Sequence, residues 1–274
     1  MLKNIEEWIY LYDTWKKWNT TTIMVWVHWN EFSGIQAMEK IKNNIKIDNG
    51  KVYFIYANLR AIKENVRFTE KNLNRCFLKN QDWTSYEEKR AKIIMKYLDK
   101  SDFLLDVHNT TSYINSLKVL ITTHIDYSKY FDIKNVMSNI DDVQKWGSDG
   151  YMDSIWKKWF CLECGSINYK DEVDIVDFAY KSIINFLKVT KNIEKEPEIY
   201  NRNRLIVKMY FWYKTKTDKF VLAKDFADFE EIKNWDLLAI DGKEKIICEK
   251  DSIIVFAHNS EKIWSEWFYL WEKI

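Results

Sequence analysis

The chain is short of three residue types. Its 274 residues include six Gly and one Pro, Pro197, where average usage gives about 19 and about 14. Four cysteines, Cys76, Cys161, Cys164 and Cys248, are too few for a disulfide scaffold. Cys161-Leu-Glu-Cys164 is a lone C-x-x-C. Without a second pair or a thioredoxin-like context it reads as two structural strand cysteines. A dominant charge is lacking as well: 42 basic and 41 acidic side chains leave a formal charge of +1. That excludes a global field drawing in nucleic acid or an anionic membrane. No stretch approaches the roughly 18–20 apolar residues of a spanning helix. The segment Met1-Leu-Lys-Asn-Ile-Glu-Glu has neither the charged n-region nor the long apolar h-region of a secretion signal. These absences predict a cytoplasmic protein with no membrane or nucleic-acid partner.

What is present supports a substantial core. Hydrophobic residues make up 47% and charged residues 30% of the chain, which excludes wholesale disorder. The length suits one large domain, or one large and one small. Thr20 to His28 is β-branched and apolar and reads as a buried strand, as do Val52 to Ala57, Asp102 to His108, Leu117 to Thr122 and Phe160 to Cys164. Between them, Gly34 to Asn44 shows helical spacing of Ile35, Met38 and Ile41. Thr84 or Ser85 can cap a helix running to about Lys100, with Glu87 and Glu88 in its first turn. Val173 to Val189 carries one apolar stripe of Ile175, Val176, Ala179, Ile183 and Phe186. Strands alternating with helices predict an α/β layer fold around a largely buried sheet. Lys191 to Asn203 is polar and reads as a linker. Arg204 to Ile274 is a series of short β-rich runs, predicting a small antiparallel β domain.

Chemistry-bearing residues gather at predicted strand ends. His28-Trp-Asn-Glu31 follows the first strand and His108 ends the third. In open α/β sheets, ligands collect outside the carboxyl ends of the strands. Two histidines and a carboxylate form a catalytic zinc set that leaves a position open for water. H-x-x-E alone arises often by chance, and a solvated histidine and glutamate in a loop is the bland reading. More residues fall in order around it. Asn58-Leu-Arg-Ala61 comes next, then Arg67 with Leu73-Asn74-Arg75. His108-Asn-Thr-Thr111 and Glu163-Cys-Gly165 follow.

With Trp26-Val-His28-Trp29-Asn30-Glu31 at its head, this series resembles the succinylglutamate desuccinylase/aspartoacylase family, relatives of the zinc carboxypeptidases. The resemblance covers residues 21–165 and implies a zinc-carboxypeptidase-like α/β/α domain with a mixed sheet, residues 1–195, and a small β-rich C-terminal domain, residues 196–274. It also implies one Zn²⁺ per chain, held by His28, Glu31 and His108. By the same resemblance Glu163 is the general base, Arg67 stabilises the oxyanion, and Asn74, Arg75 and Asn109 meet the substrate. Asp106, two residues before His108 on the same strand, shares its face; it is placed to orient that histidine or is a plain strand-end aspartate. The implied activity is a zinc-dependent deacylase cleaving the amide of an N-acyl amino acid or similar small carboxylate-bearing amide. Two alternatives stand beside it. One is a zinc carboxypeptidase acting on peptides. The other is a catalytically dead member whose metal site is blocked by Trp26 and Trp29. Where aspartoacylases carry a Tyr and an Arg that grip the substrate, this chain has Asp149 and Asp153. Acidic groups there disfavour a dianionic substrate and favour a neutral or amino-bearing acyl group, or a peptide-like amide.

The glycine shortage has a counterpart in 14 tryptophans. Trp26 and Trp29 stand where the family's zinc motif has glycine. Trp156, Trp159, Trp235, Trp267 and Trp271 stand at predicted turns or strand ends. Some bacterial lineages read UGA as glycine, whereas a common alternative table reads it as tryptophan. The shortfall and the excess are similar in size, which predicts that many of these tryptophans come from the wrong table. The near-absence of proline has no such explanation.

Overall fold

A computed structural model describes residues 2–110, 117–140, 145–166, 172–259 and 266–274. Thr111 and the side chain of Trp267 lie outside the described residues. The chain opens with a hairpin, β1 (Leu2–Glu6) and β2 (Ile9–Asp13). The α/β part follows as β3 (Thr20–Val25), α1 (Phe32–Asn44), β4 (Lys51–Tyr56), α2 (Leu59–Glu64), α3 (Tyr86–Leu98), β5 (Phe103–Thr110), β6 (Lys118–Ile121), β7 (Asn135–Ser138), α4 (Ser148–Ser154), β8 (Lys158–Ser166) and α5 (Glu172–Val189). The last strands are β9 (Leu205–Lys214), β10 (Phe220–Leu222), β11 (Glu230–Ile232), β12 (Leu237–Asp241), β13 (Glu244–Ile247), β14 (Ser252–Val255) and β15 (Glu266–Lys273).

Twelve strands form one mixed sheet in the order β1-β2-β4-β3-β5-β8-β6-β7-β9-β15-β14-β11. Its centre is parallel: β4, β3, β5 and β8 run side by side, and β6 returns antiparallel on β8. Alternate strand residues serve opposite faces. Met24, Ile55 and Leu104 pack with Ala91, Ile94, Met95 and Leu98 of α3. Ile23, Val25, Phe54 and Leu105 pack on the other face with Ala37, Met38 and Ile41 of α1 and Ile175, Ala179, Ile183 and Phe186 of α5. The result is an α/β/α sandwich. Each fully buried Ile, Leu or Phe in it contributes about 1.5–3 kcal/mol relative to exposure.

Sequence signals placed these elements well where local chemistry is decisive. Ser85 caps α3 in a capping box with Glu88, which satisfies N–H groups the helix leaves open. Gly34 lets α1 approach the sheet: a Cβ there would lie 3.0 Å from Val25 Cγ1 and 3.1 Å from Val107 Cγ1. The hairpin β1–β2 is an edge pair with a mostly half-exposed surface, and its one short apolar run, Trp8 to Tyr12, lies outside the strands expected from the sequence. Cys161 and Cys164 are free and buried on β8. They join opposite apolar layers, so they neither pair nor share a metal.

Beyond α5, β9 lies parallel to β7 and carries the large sheet onward to β15, β14 and β11. A separate antiparallel sheet, β10-β12-β13, sits against this extension. Between them Tyr213, Phe220, Leu238, Ile254 and Phe268 form a third core.

Candidate active site

Two histidines approach one carboxylate from different elements. His28 lies in the turn after β3, and Glu31 is the residue before α1. His108 stands near the end of β5. All three are buried, with donor atoms within 4.8 Å of one another. Glu31 Oε1 lies 2.7 Å from His28 Nδ1 and 3.0 Å from His108 Nδ1. Its other oxygen accepts the His28 backbone N–H at 2.9 Å. Burial alone would raise the Glu31 pKa, but the two histidines outweigh it and hold the carboxyl well below its ordinary range. Burial likewise opposes a charge on His108, while Asp106 and Glu31 together push its pKa well up.

The far nitrogen of each ring has its own partner. His28 Nε2 is 3.0 Å from Asn72 Oδ1, and the same oxygen accepts the Asn74 backbone N–H at 3.0 Å. His108 Nε2 lies 3.1 Å from Asp106 Oδ2, at an angle that falls short of a hydrogen bond. Ser148 Oγ, at the start of α4, donates to that same Asp106 oxygen at 2.5 Å. Both Nδ1 atoms are thereby aimed at Glu31. Two imidazole nitrogens and a carboxylate oxygen, each oriented by an outer partner, are the donor chemistry that suits Zn²⁺ with an open position. Asn72 and Ser148 were invisible in the sequence. They lie 44 and 42 residues from their partners, and no local pattern links them.

Glu163 stands beside His108 in the register of β5 and β8. Adjacent residues in register share a sheet face, so its carboxyl lies on the side of the histidine. Its Oε2 is buried without a hydrogen-bond partner. Burial raises its pKa to about 7, against an opposing pull from His108; Glu31 adds to the rise and Arg67 subtracts from it. A carboxyl that titrates near neutrality can both accept and return a proton.

The loop from 65 to 76 supplies three more of the sequence-predicted residues. Arg67 is exposed and near enough to lower the Glu163 pKa. Asn74 and Arg75 sit in a short 3₁₀ turn, Leu73–Arg75. Asn74 Oδ1 is buried without a partner, and Arg75 Nη1 donates to the Asn74 carbonyl at 2.9 Å. Glu87, wholly buried on α3, organises this loop. Its carboxylate accepts the Thr69 N–H at 2.7 Å and hydroxyl at 2.8 Å, and the Lys71 N–H at 3.1 Å.

Asn109 is largely built into the scaffold. Its Oδ1 accepts the Ser33 N–H and hydroxyl, at 3.2 and 2.8 Å, and its Nδ2 donates to Gly165 O at 3.1 Å. One amide N–H is left over for any substrate. Asp149 and Asp153 lie on α4. Asp153 lines a cleft of about 460 Å³ with Phe77, Lys79, Lys145, Tyr151 and Ser154. The two tryptophans of the His28 turn do not keep the three donors apart. Trp29 is 40% exposed. Trp26 packs near Trp8 and Tyr56 and donates its Nε1–H to Trp29 O at 2.8 Å.

Comparisons with known proteins show the family and the fold. The sequence model of the succinylglutamate desuccinylase/aspartoacylase catalytic domain matches residues 17–190. A probable aspartoacylase of Trichodesmium erythraeum is 30% identical over 171 residues, 56% of this chain and 57% of that protein. An N-acyl-aromatic-L-amino acid amidohydrolase (carboxylate-forming) of Danio rerio is 28% identical over 164 residues, 50% of this chain and 52% of its own length. The matches thus span little more than half of these curated relatives. The crystal structure of succinylglutamate desuccinylase from Vibrio cholerae superposes with a TM-score of 0.82 at 17% identity, covering 99% of this chain and 87% of that one. A product-bound ectoine utilization protein EutE (DoeB) from Ruegeria pomeroyi superposes with a TM-score of 0.73 at 15% identity, covering 97% and 88%.

Proposed function

The chain belongs to the succinylglutamate desuccinylase/aspartoacylase family, and from that premise we propose that it is a zinc-dependent deacylase hydrolysing the amide bond of a small N-acyl amino acid. The observation that carries this reading is the pairing of a buried His28–Glu31–His108 donor set with a neighbouring carboxyl, Glu163, that titrates at about 7. Zinc on the three donors would lower the pKa of a water and polarise the scissile carbonyl.

The chain's own residues do the rest. Glu163 takes a proton from the attacking water as the oxygen adds to the carbonyl carbon. It then delivers that proton to the departing nitrogen as the C–N bond breaks. The Arg67 guanidinium offsets the negative charge that gathers on the carbonyl oxygen. Asn74 and Arg75 hold the substrate carboxylate, Arg75 through a planar fork that matches it. Asp106, supported by Ser148, orients His108, and Asn72 orients His28. Asn109 ties the ends of β5 and β8 to the start of α1 and contributes its spare N–H to the substrate. Asp149 and Asp153 on α4 favour a neutral or amino-bearing acyl group over a second carboxylate. We assign this chemistry to a catalytic domain of residues 1–195 and treat 196–274 as a β-rich C-terminal domain. One zinc per chain, a cytoplasmic setting and a small-molecule substrate complete the reading. Among the described residues no helix is long and apolar enough to cross a membrane.

The test is a metal assay beside a substrate panel. Purified protein should hold about one zinc per chain, and His28→Ala or His108→Ala should remove most of it. Stoichiometric zinc in the double variant would overturn the ligand assignment. N-acyl amino acids should be cleaved in preference to peptides with a free C-terminus. Faster release of C-terminal residues from peptides would instead make the protein a carboxypeptidase.

A further inference from the structure

Eleven non-glycine residues among the described ones have φ in the left-handed region, and six are tryptophan: Trp8 (57°), Trp15 (62°), Trp26 (67°), Trp83 (50°), Trp156 (61°) and Trp235 (75°). Tryptophan fills 14 of 274 positions, so a random draw does not give it more than half of these sites. Left-handed backbone crowds Cβ against the following carbonyl. Glycine adopts it freely, Asn and Asp adopt it with some ease, and a bulky residue is a genuine outlier. Asn65 and Asn139 are two of the other five.

At the three most exposed of the six, packing does not compensate. Trp15 is 83% exposed, Trp156 95% and Trp235 78%. Their backbones occupy places that glycine fills in other proteins. Trp156 follows the C-cap residue Ile155 of α4, the position where a helix most often ends on a left-handed glycine. Trp235 is the third residue of a turn closed by the Asp236 N–H on Lys233 O at 3.1 Å, where positive φ calls for glycine. Trp8 is the second residue of the two-residue loop between Glu6 and Ile9, which pair across the β1–β2 hairpin. Trp26 follows the last residue of β3, two positions before His28.

We infer that these six positions are glycine in the native protein, their UGA codons being read as glycine where the chain is made. The backbone criterion sharpens what composition suggests. It supports Trp26, Trp156 and Trp235 and adds Trp8, Trp15 and Trp83. It does not extend to Trp29, Trp159 or Trp271, none of which has positive φ. Trp159 and Trp271 are fully buried. The functional consequence falls on the His28 turn. Without the Trp26 indole, that turn loses its contacts to Trp8 and Tyr56 and its hydrogen bond to Trp29 O, leaving a lighter rim beside the metal donors. The inference stands whether or not the site hydrolyses an amide.

Two measurements decide it. Tandem mass spectrometry of the protein isolated from its own cells should show each of the six residues lighter by the Trp–Gly mass difference. Intact tryptophan in those peptides, or UGG codons in the gene, overturns the inference. For recombinant protein, the single changes Trp15→Gly, Trp156→Gly and Trp235→Gly should each raise Tm by about 2–4 °C, the shift expected for relief of one left-handed side chain in a chain of this size. Trp18→Gly is the control. Trp18 is 56% exposed but does not have positive φ, so the change should leave Tm unchanged or lower it, because glycine only loosens the unfolded chain. Equal responses at Trp15 and Trp18 would also overturn the inference. Zinc content and turnover enter neither measurement, so failure here is separate from failure of the deacylase reading.

Discussion

His108 and His28 face the same carboxylate, yet the chain places them by different means. His108 sits in the middle of the sheet, on a strand paired on both sides and buried throughout. Asp106 reaches it from the same strand and is itself held by Ser148. His28 sits in a turn, after a tryptophan with positive φ, and its ring is steadied from a loop by Asn72. The strand-borne histidine is held in place by the sheet. The loop-borne histidine depends on a second loop, which in turn depends on the buried Glu87 carboxylate. The difference teaches where disruption should matter: on the strand side damage should stay local, and on the loop side it should spread to Arg67, Asn74 and Arg75.

The strongest break of this comparison is at the group both sides share. Glu31→Ala should abolish bound metal and turnover together, because Glu31 Oε1 is the atom both histidines approach. Metal analysis beside a hydrolysis assay checks this. Glu163→Gln comes next. It should keep the metal and the fold and lower kcat by about 100- to 10,000-fold. In the parent, activity should rise with pH through a limb at or below about 7, because burial raises the Glu163 pKa to that value and only the deprotonated form accepts the proton. A bound cation would pull the limb lower. A pH profile whose acid limb persists in Glu163→Gln would remove Glu163 from that role.

Third in size are the two outer partners. Asp106→Ala and Asn72→Ala should each weaken metal affinity by about 10- to 100-fold, read by competition with a chelating dye. The comparison predicts that Asp106→Ala leaves substrate KM unchanged, whereas Asn72→Ala also raises it, since Asn72 holds the Asn74 backbone as well. Arg75→Ala should act chiefly on KM for substrates bearing a carboxylate and leave metal content intact. The smallest effect is on stability. Glu87→Ala strips the 65–76 loop of its buried acceptor and should cost about 1–3 kcal/mol in denaturant unfolding. Burial works against the Glu87 carboxylate, but the N–H and hydroxyl groups of Thr69 and the Lys71 N–H prevail and lower its pKa from 4.5. Its stabilisation is therefore present above pH 4.5 and is lost as the pH falls through the lowered value.

Much of the site could be read before any coordinates. Asp106 and His108 share a face because strand side chains alternate, and the order of motifs from His28 to Glu163 carried the family. The hairpin β1–β2 was not read: Leu2 to Glu6 is mostly polar, and the run Trp8 to Tyr12 is short and belongs to an edge pair with a half-exposed surface. Asn109 reads as a substrate contact from its motif, yet Ser33 and Gly165 take most of its amide. Its partners come from α1 and β8, and the motif contains neither.

Local chemistry in the sequence by itself determined most of the strand and helix pattern, a helix cap at Thr84 or Ser85, the candidate donor residues, and the mismatch between scarce glycine and abundant tryptophan. Only the tertiary structure decided which ring nitrogen faces Glu31, that Ser148 supports Asp106, and that Glu163 titrates near neutrality. It also decided which tryptophans lie on left-handed backbone. The reason is physical. Propensity, capping and alternation act over a few residues. A hydrogen bond between residues 28 and 72 or 106 and 148, and the burial that shifts a carboxyl, exist only once distant segments have packed around the same site.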